Sequence, residues 1–171
     1  MFVRTESFPT FIRHYPVVTI VAAIHLIFYC WMNFLPYGRE IYEFGVGYNA
    51  AVATGEWWRL VTPIFLHINF GHVIFNTFSL VIIAPALERM LGRLKFIVAY
   101  ITTGIAANVA TFFLGGLHYP PHLGASGAIF GLLGMYTYIV LFRKDLIDRA
   151  NAQLVITLVA IGFIMTYFHA S

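Results

Sequence analysis

The chain has 171 residues, of which 60% are hydrophobic and only 10% charged, with a mean hydropathy of +0.82. A soluble domain carries about 25% charged residues, so too little polar surface is available here to cover a water-soluble globule. Disorder, which needs low hydrophobicity and high net charge, is excluded as well.

Taken in chain order, residues 1–16 are basic but lack a short apolar core followed by a small-residue cleavage site, and read as a retained cytoplasmic or interfacial segment. Residues 17–171 read as one membrane domain. A spanning helix needs roughly 20 mostly apolar residues, and five runs qualify: 17–35, 67–87, 96–114, 126–142 and 152–168. Their joints carry Pro36-Tyr37-Gly38, Glu88-Arg89, Gly115-Gly116 and further charge, as helix ends should. The predicted fold is therefore all-α, a polytopic transmembrane bundle of five spans. The lone cysteine, Cys30, permits no internal disulfide.

The net charge of +3 comes from short basic clusters between apolar runs, a placement that sets orientation and does not point to nucleic acid. With the N-terminus cytoplasmic, Arg4, Arg13, Arg89, Arg93, Lys95, Arg143, Lys144 and Arg149 fall inside, and only Arg39 and Arg59 fall outside. The expectation is a multi-pass protein of the cell membrane with 36–66, 115–125 and the C-terminal end on the outer side.

Polar side chains in hydrocarbon are costly and mark either internal packing or function. Three groups stand out: His67, His72 and Asn76 in the second run, Asn108 in the third, and Gly124-Ala125-Ser126-Gly127 opening the fourth. In this topology the His/Asn cluster and Ser126 lie at similar depth. His72 and Asn76 are four apart and share one helix face. Ser126 begins a helix, where unpaired N–H groups and the dipole favour negative charge. A hydroxyl there, facing donors from another helix, is the layout an oxyanion site requires. The plainer readings are an N-cap serine, interhelical hydrogen bonds, and a close-packing seam along Gly127, Gly131 and Gly134. A third reading makes His72, Asn76 and Asn108 the lining of a polar path. His118 and His122 flank Pro120-Pro121 in a loop, which is not a metal-ligand spacing, and no metal or organic cofactor is expected.

The stretch Trp57-Trp58-Arg59, then His67, His72 and Asn76, resembles the rhomboid intramembrane serine proteases. Glu88-Arg89 is similar to that family's Glu-Arg pair, and Gly124-Ala125-Ser126-Gly127 to its Gly-x-Ser-Gly motif. The likeness runs over nearly all the chain from Trp57. It implies Ser126 as nucleophile, His72 and Asn76 as oxyanion donors together with the Ser126 amide, and transmembrane proteins as substrates within the lipid bilayer. It also implies structural roles for His67, Trp58, Arg59, Glu88, Arg89, Gly124, Gly127 and Gly131, and a partly embedded external loop over 36–60. The family's base is a histidine on a sixth span packed on the fourth. The sequence ends at Ser171, three residues after the fifth run, so this chain is expected to lack that base, to leave the glycine-rich face of the fourth span open, and to be a fragment or frameshifted product of a six-span enzyme. His169, on the correct side of the fifth run, reads as a terminal bystander. Phe130 stands where family members often carry tyrosine. The alternative is a non-catalytic relative that binds client transmembrane helices.

Overall fold

The computed structural model describes residues 2 and 5–170, with side chains given as far as 162 and at Ile164. Eight α-helices follow one another, and among the described residues there is no strand. Their bounds are α1 (Phe8–His14), α2 (Pro16–Phe34), α3 (Gly38–Gly45), α4 (Asn49–Ala53), α5 (Phe70–Leu91), α6 (Arg93–Gly115), α7 (Ser126–Phe142) and α8 (Arg149–Ala170). By length and composition α2, α5 and α6 can each cross a membrane, and α7 and the 149–162 part of α8 are shorter apolar helices. The fold is the all-α membrane bundle the composition required. The fourth span starts and ends at the predicted residues.

The second span is displaced. It was expected to begin at His67, but α5 begins at Phe70, because the Asn69 side chain accepts the His72 amide at 2.8 Å and caps the helix there. His67 therefore lies in the connecting loop and not on the same helix as His72. At its other end α5 continues to Leu91 and stops at Gly92, whose φ of +79° suits glycine.

α7 sits at the centre, against α5, α6 and α8. Leu132 and Tyr136 of α7 are fully buried with Leu80 and Leu87 of α5, Phe96 and Tyr100 of α6 and Val18 of α2. The Tyr136 hydroxyl donates to the Ile83 carbonyl at 2.6 Å, which satisfies its polar end within the core. Gly127 and Gly131 form the α6 seam: a Cβ at Gly127 would stand 2.5 Å from the Ala107 Cβ, and one at Gly131 would run into Thr103. Small residues thus let α6 and α7 touch closely. This corrects the expectation that the glycine face awaits a further helix. Among the described residues a Cβ at Gly134, alone of the three, meets nothing within 4 Å, and Phe130 meets Gly162 of α8.

Glu88 ties the first span to the second. Its carboxylate is 3% exposed and accepts the amides of Val17 and Val18 at 3.1 and 2.9 Å. These belong to the first turn of α2, whose donors have no intrahelical partner, and the carboxylate also suits the positive end of the helix dipole. Its neighbour Arg89 is exposed. Glu88→Ala should lower stability by about 2–4 kcal/mol, as two charge-assisted hydrogen bonds are lost. Glu88→Gln, keeping one acceptor, should lose less. Gly131→Val should cost about 1–3 kcal/mol by overpacking. Thermal unfolding in detergent micelles reads all three.

Candidate active site

The segment between α2 and α5 contains α3, α4 and two turns of 3-10 helix, Trp57–Leu60 and Thr62–Phe65. Irregular backbone in a membrane domain must find its hydrogen bonds inside the protein, and here side chains supply them. Arg59 Nη1 donates to the Glu43 and Val46 carbonyls, both at 2.8 Å, and its Nε to Glu56. The Trp58 indole donates to the Phe44 carbonyl at 3.0 Å, with the two rings stacked at 5.3 Å. The Thr62 hydroxyl donates to the Gly45 carbonyl at 2.7 Å. Asn108 of α6, a candidate for a polar path, instead donates to the Leu60 carbonyl at 2.9 Å. Asn49, which sequence reasoning passed over, is 1% exposed and donates to the Thr111 and Gly116 carbonyls. It begins the short α4, outside the apolar runs, and nothing in its local pattern signals that burial.

This loop holds the turn that precedes α7. The Gly124 amide donates to the Pro63 carbonyl at 2.8 Å. The Ala125 amide points at Nε2 of His67, 3.4 Å away, which assigns the Nε2 lone pair to that amide. His67 is fully buried, and its Nδ1 has no hydrogen-bond partner among the described residues. Gly47 and His122 pair through both amides at 2.9 Å, joining the two loops at the same end. Burial of the His122 imidazole there pushes its pKa below the usual histidine range.

Ser126 is the first residue of α7, and Ala125 is its N-cap, with no side-chain cap hydrogen bond. The serine is therefore no helix cap. Its side chain is exposed and makes no hydrogen bond among the described residues. Its amide and those of the next two residues begin the helix without intrahelical partners. On the other side of the turn lies His72. Gly124 adopts φ +123°, and a Cβ there would stand 2.6 Å from both Cε1 and Nε2 of the His72 ring. Only glycine allows that backbone and that approach. Asn76, one turn on, is 4% exposed, and its amide donates to the His72 carbonyl at 2.9 Å. The structure thus brings Gly124, Ser126, His67 and His72 to one place, while the Asn76 amide is engaged by its own helix.

Behind the site the rings continue inward. His67 contacts His72 at 5.1 Å and His25 at 4.7 Å between centroids. His25 of α2, fully buried, reaches the Tyr100 hydroxyl at 3.1 Å. His25 is a hydrogen-bonded core histidine. No group of three metal-ligating side chains is found among the described residues. The His169 side chain lies outside the described residues.

The protein is thus an all-helical membrane bundle with an exposed serine at a helix N-terminus, two residues after a glycine on which a histidine of a second helix packs. Residues 54–171 match the rhomboid domain. The chain belongs to the rhomboid family. It is 45% identical over 172 residues to the putative rhomboid protease YdcA of Bacillus subtilis, covering all of this chain and 86% of that one. It is 41% identical over 127 residues to the rhomboid protease GluP of the same organism, covering 73% of this chain and 24% of that one. With the rhomboid protease AarA of Providencia stuartii it shares 28% identity over 137 residues, 72% of this chain and 46% of that one.

Two glycines separate conformational demand from mere space. Gly124→Ala must strain a left-handed backbone and displace the His72 ring, and should cost about 1–3 kcal/mol. Gly134→Ala meets nothing within 4 Å among the described residues and should be neutral or gain up to about 1 kcal/mol from helix propensity. Unfolding of the two variants side by side in micelles checks the contrast.

Proposed function

We propose that this protein is an intramembrane serine endopeptidase that cuts transmembrane protein substrates, with Ser126 as nucleophile. The observation that carries this reading is the approach of the His72 ring to Gly124, two residues before an exposed Ser126 that begins a helix. A serine oxygen attacks the substrate carbonyl, and the carbonyl oxygen takes up negative charge. The Ser126 amide and the His72 side chain are the donors that meet that charge, and Asn76 joins them by releasing the His72 carbonyl. Preorganised donors in a water-poor site lower the barrier most where charge develops. The adduct collapses as the peptide C–N bond breaks, the amine leaves with the proton given up by the serine hydroxyl, and water then hydrolyses the acyl-enzyme to the free acid and serine, with no metal or organic cofactor in the scheme. The protein names carried by YdcA, GluP and AarA support the protease reading. The basic residues at the Glu88 end support a cytoplasmic N-terminus and a site opening on the opposite face.

A serine at its ordinary pKa needs an adjacent base, and that base must come within hydrogen-bond reach. Family likeness points to a histidine from a helix packed on α7 beside Ser126. His169 belongs to α8, which packs on α7, and is the residue of this chain to test in that role.

Labelling by a fluorophosphonate probe tests the nucleophile. Labelling lost in Ser126→Ala, and slowed ~10²–10³-fold in His72→Ala as one oxyanion donor is removed, is the expected result. A chain that is folded in detergent yet unlabelled is not an active protease and is better read as a binder of client helices. Unchanged labelling in His169→Ala excludes that residue as the base.

A further inference from the structure

A cavity of about 420 Å³ opens between α2, α3 and the Thr62–Phe65 turn. Phe28 and Trp31 of α2, Ile41 and Phe44 of α3, and Phe65 form its walls, with Tyr37 beside them and Glu40 as the one carboxylate in the lining. The size falls in the range of small-molecule sites. Three properties together decide the occupant. First, the walls away from Glu40 are mostly apolar, so water would find few partners along them, and a helix about 10–12 Å across does not fit a slot of this volume. Secondly, the wall residues Trp31 and Phe44 are 41% and 59% exposed, beside exposed Tyr37, Trp57 and Trp58. Such an aromatic cluster sits at headgroup level in membrane proteins. Thirdly, the Glu40 carboxylate makes no hydrogen bond or ion pair among the described residues, whereas the next carboxylate of the helix, Glu43, is taken by Arg39 at 2.7 Å.

We propose that this cavity is a lipid site that holds one acyl chain of a phospholipid with a primary ammonium headgroup, the ammonium donating to Glu40. A carboxylate at the mouth repels an anionic headgroup. A quaternary ammonium carries the charge but has no N–H to donate, and the charge-assisted bond is the stronger one. The site lies on the far side of the segment that positions Ser126: Thr62 and Phe65 line the cavity, and Pro63 between them holds the Gly124 amide. An occupied cavity braces that turn from behind. The binding itself does not depend on the proteolytic reading.

The test is native mass spectrometry of the full chain released from micelles with equal amounts of phosphatidylethanolamine, phosphatidylcholine and phosphatidylglycerol of identical acyl chains. The expected result is a single retained lipid, with phosphatidylethanolamine preferred about tenfold, the scale of one modest hydrogen bond. Glu40→Gln, an exposed substitution, should flatten that preference while lipid is still retained. Ile41→Trp, which fills the slot, should remove lipid of every headgroup, with its thermal unfolding measured alongside to establish that it is folded. Equal retention of the three lipids by the native chain, a preference unchanged in Glu40→Gln, a cavity holding detergent alone, or a dimer without lipid would each overturn the proposal.

Discussion

Every irregular stretch of backbone in this bundle must satisfy its amides and carbonyls from within, because hydrocarbon offers them no partner. That constraint is felt most between α2 and α5, where the chain is not one continuous helix. The side chains of Trp58, Arg59, Thr62 and Asn108 each donate to a backbone carbonyl of that segment. A loop held this firmly can in turn hold something else. The Pro63 carbonyl and His67 Nε2 take the amides of Gly124 and Ala125, and so set the angle at which α7 begins. The exposure of Ser126 is the end of that chain of hydrogen bonds.

The second requirement is close approach without bulk. Gly127 and Gly131 let α6 lie directly on α7, and Gly124 lets the His72 ring lie against the turn. The glycines of the serine motif therefore serve two different ends. Gly124 supplies a positive φ and room for an imidazole, and Gly127 supplies room for a helix. At the opposite end of the bundle, Glu88 closes the first turn of α2 with a buried carboxylate, and this fixes the first span against the second. Relative placement of α2 and α5 then brings His25 beneath His67.

Much of this was legible in the residues. The five apolar runs each fall on a helix, and three of those helices are long and apolar enough to cross a membrane, since an apolar stretch of about 20 residues has few other uses. The bounds 126–142 were read correctly because Gly-Ala-Ser-Gly on one side and Arg143-Lys144 on the other punctuate the run. The start of α5 was not, because His67 and Ile68 extend the apolar pattern past the Asn69 cap. The direction of the glycine seam was likewise hidden: periodicity gives a face, but not which neighbour that face meets. Asn49 offered no sign, since burial of a loop amide depends on carbonyls 62 and 67 residues away.

The sequence by itself determined that this protein is a helical membrane bundle, and singled out a serine, two histidines and an asparagine as the polar residues within its apolar runs. Composition and run length fix those things through the cost of polar groups in hydrocarbon. Only the tertiary structure decided that His67 serves the turn from a loop, that the Asn76 amide is spent on its own helix, and that Ser126 is exposed at a helix start. Each depends on hydrogen bonds and contacts between residues far apart in the chain, and no local pattern of residue types encodes which of several partners a buried donor finds.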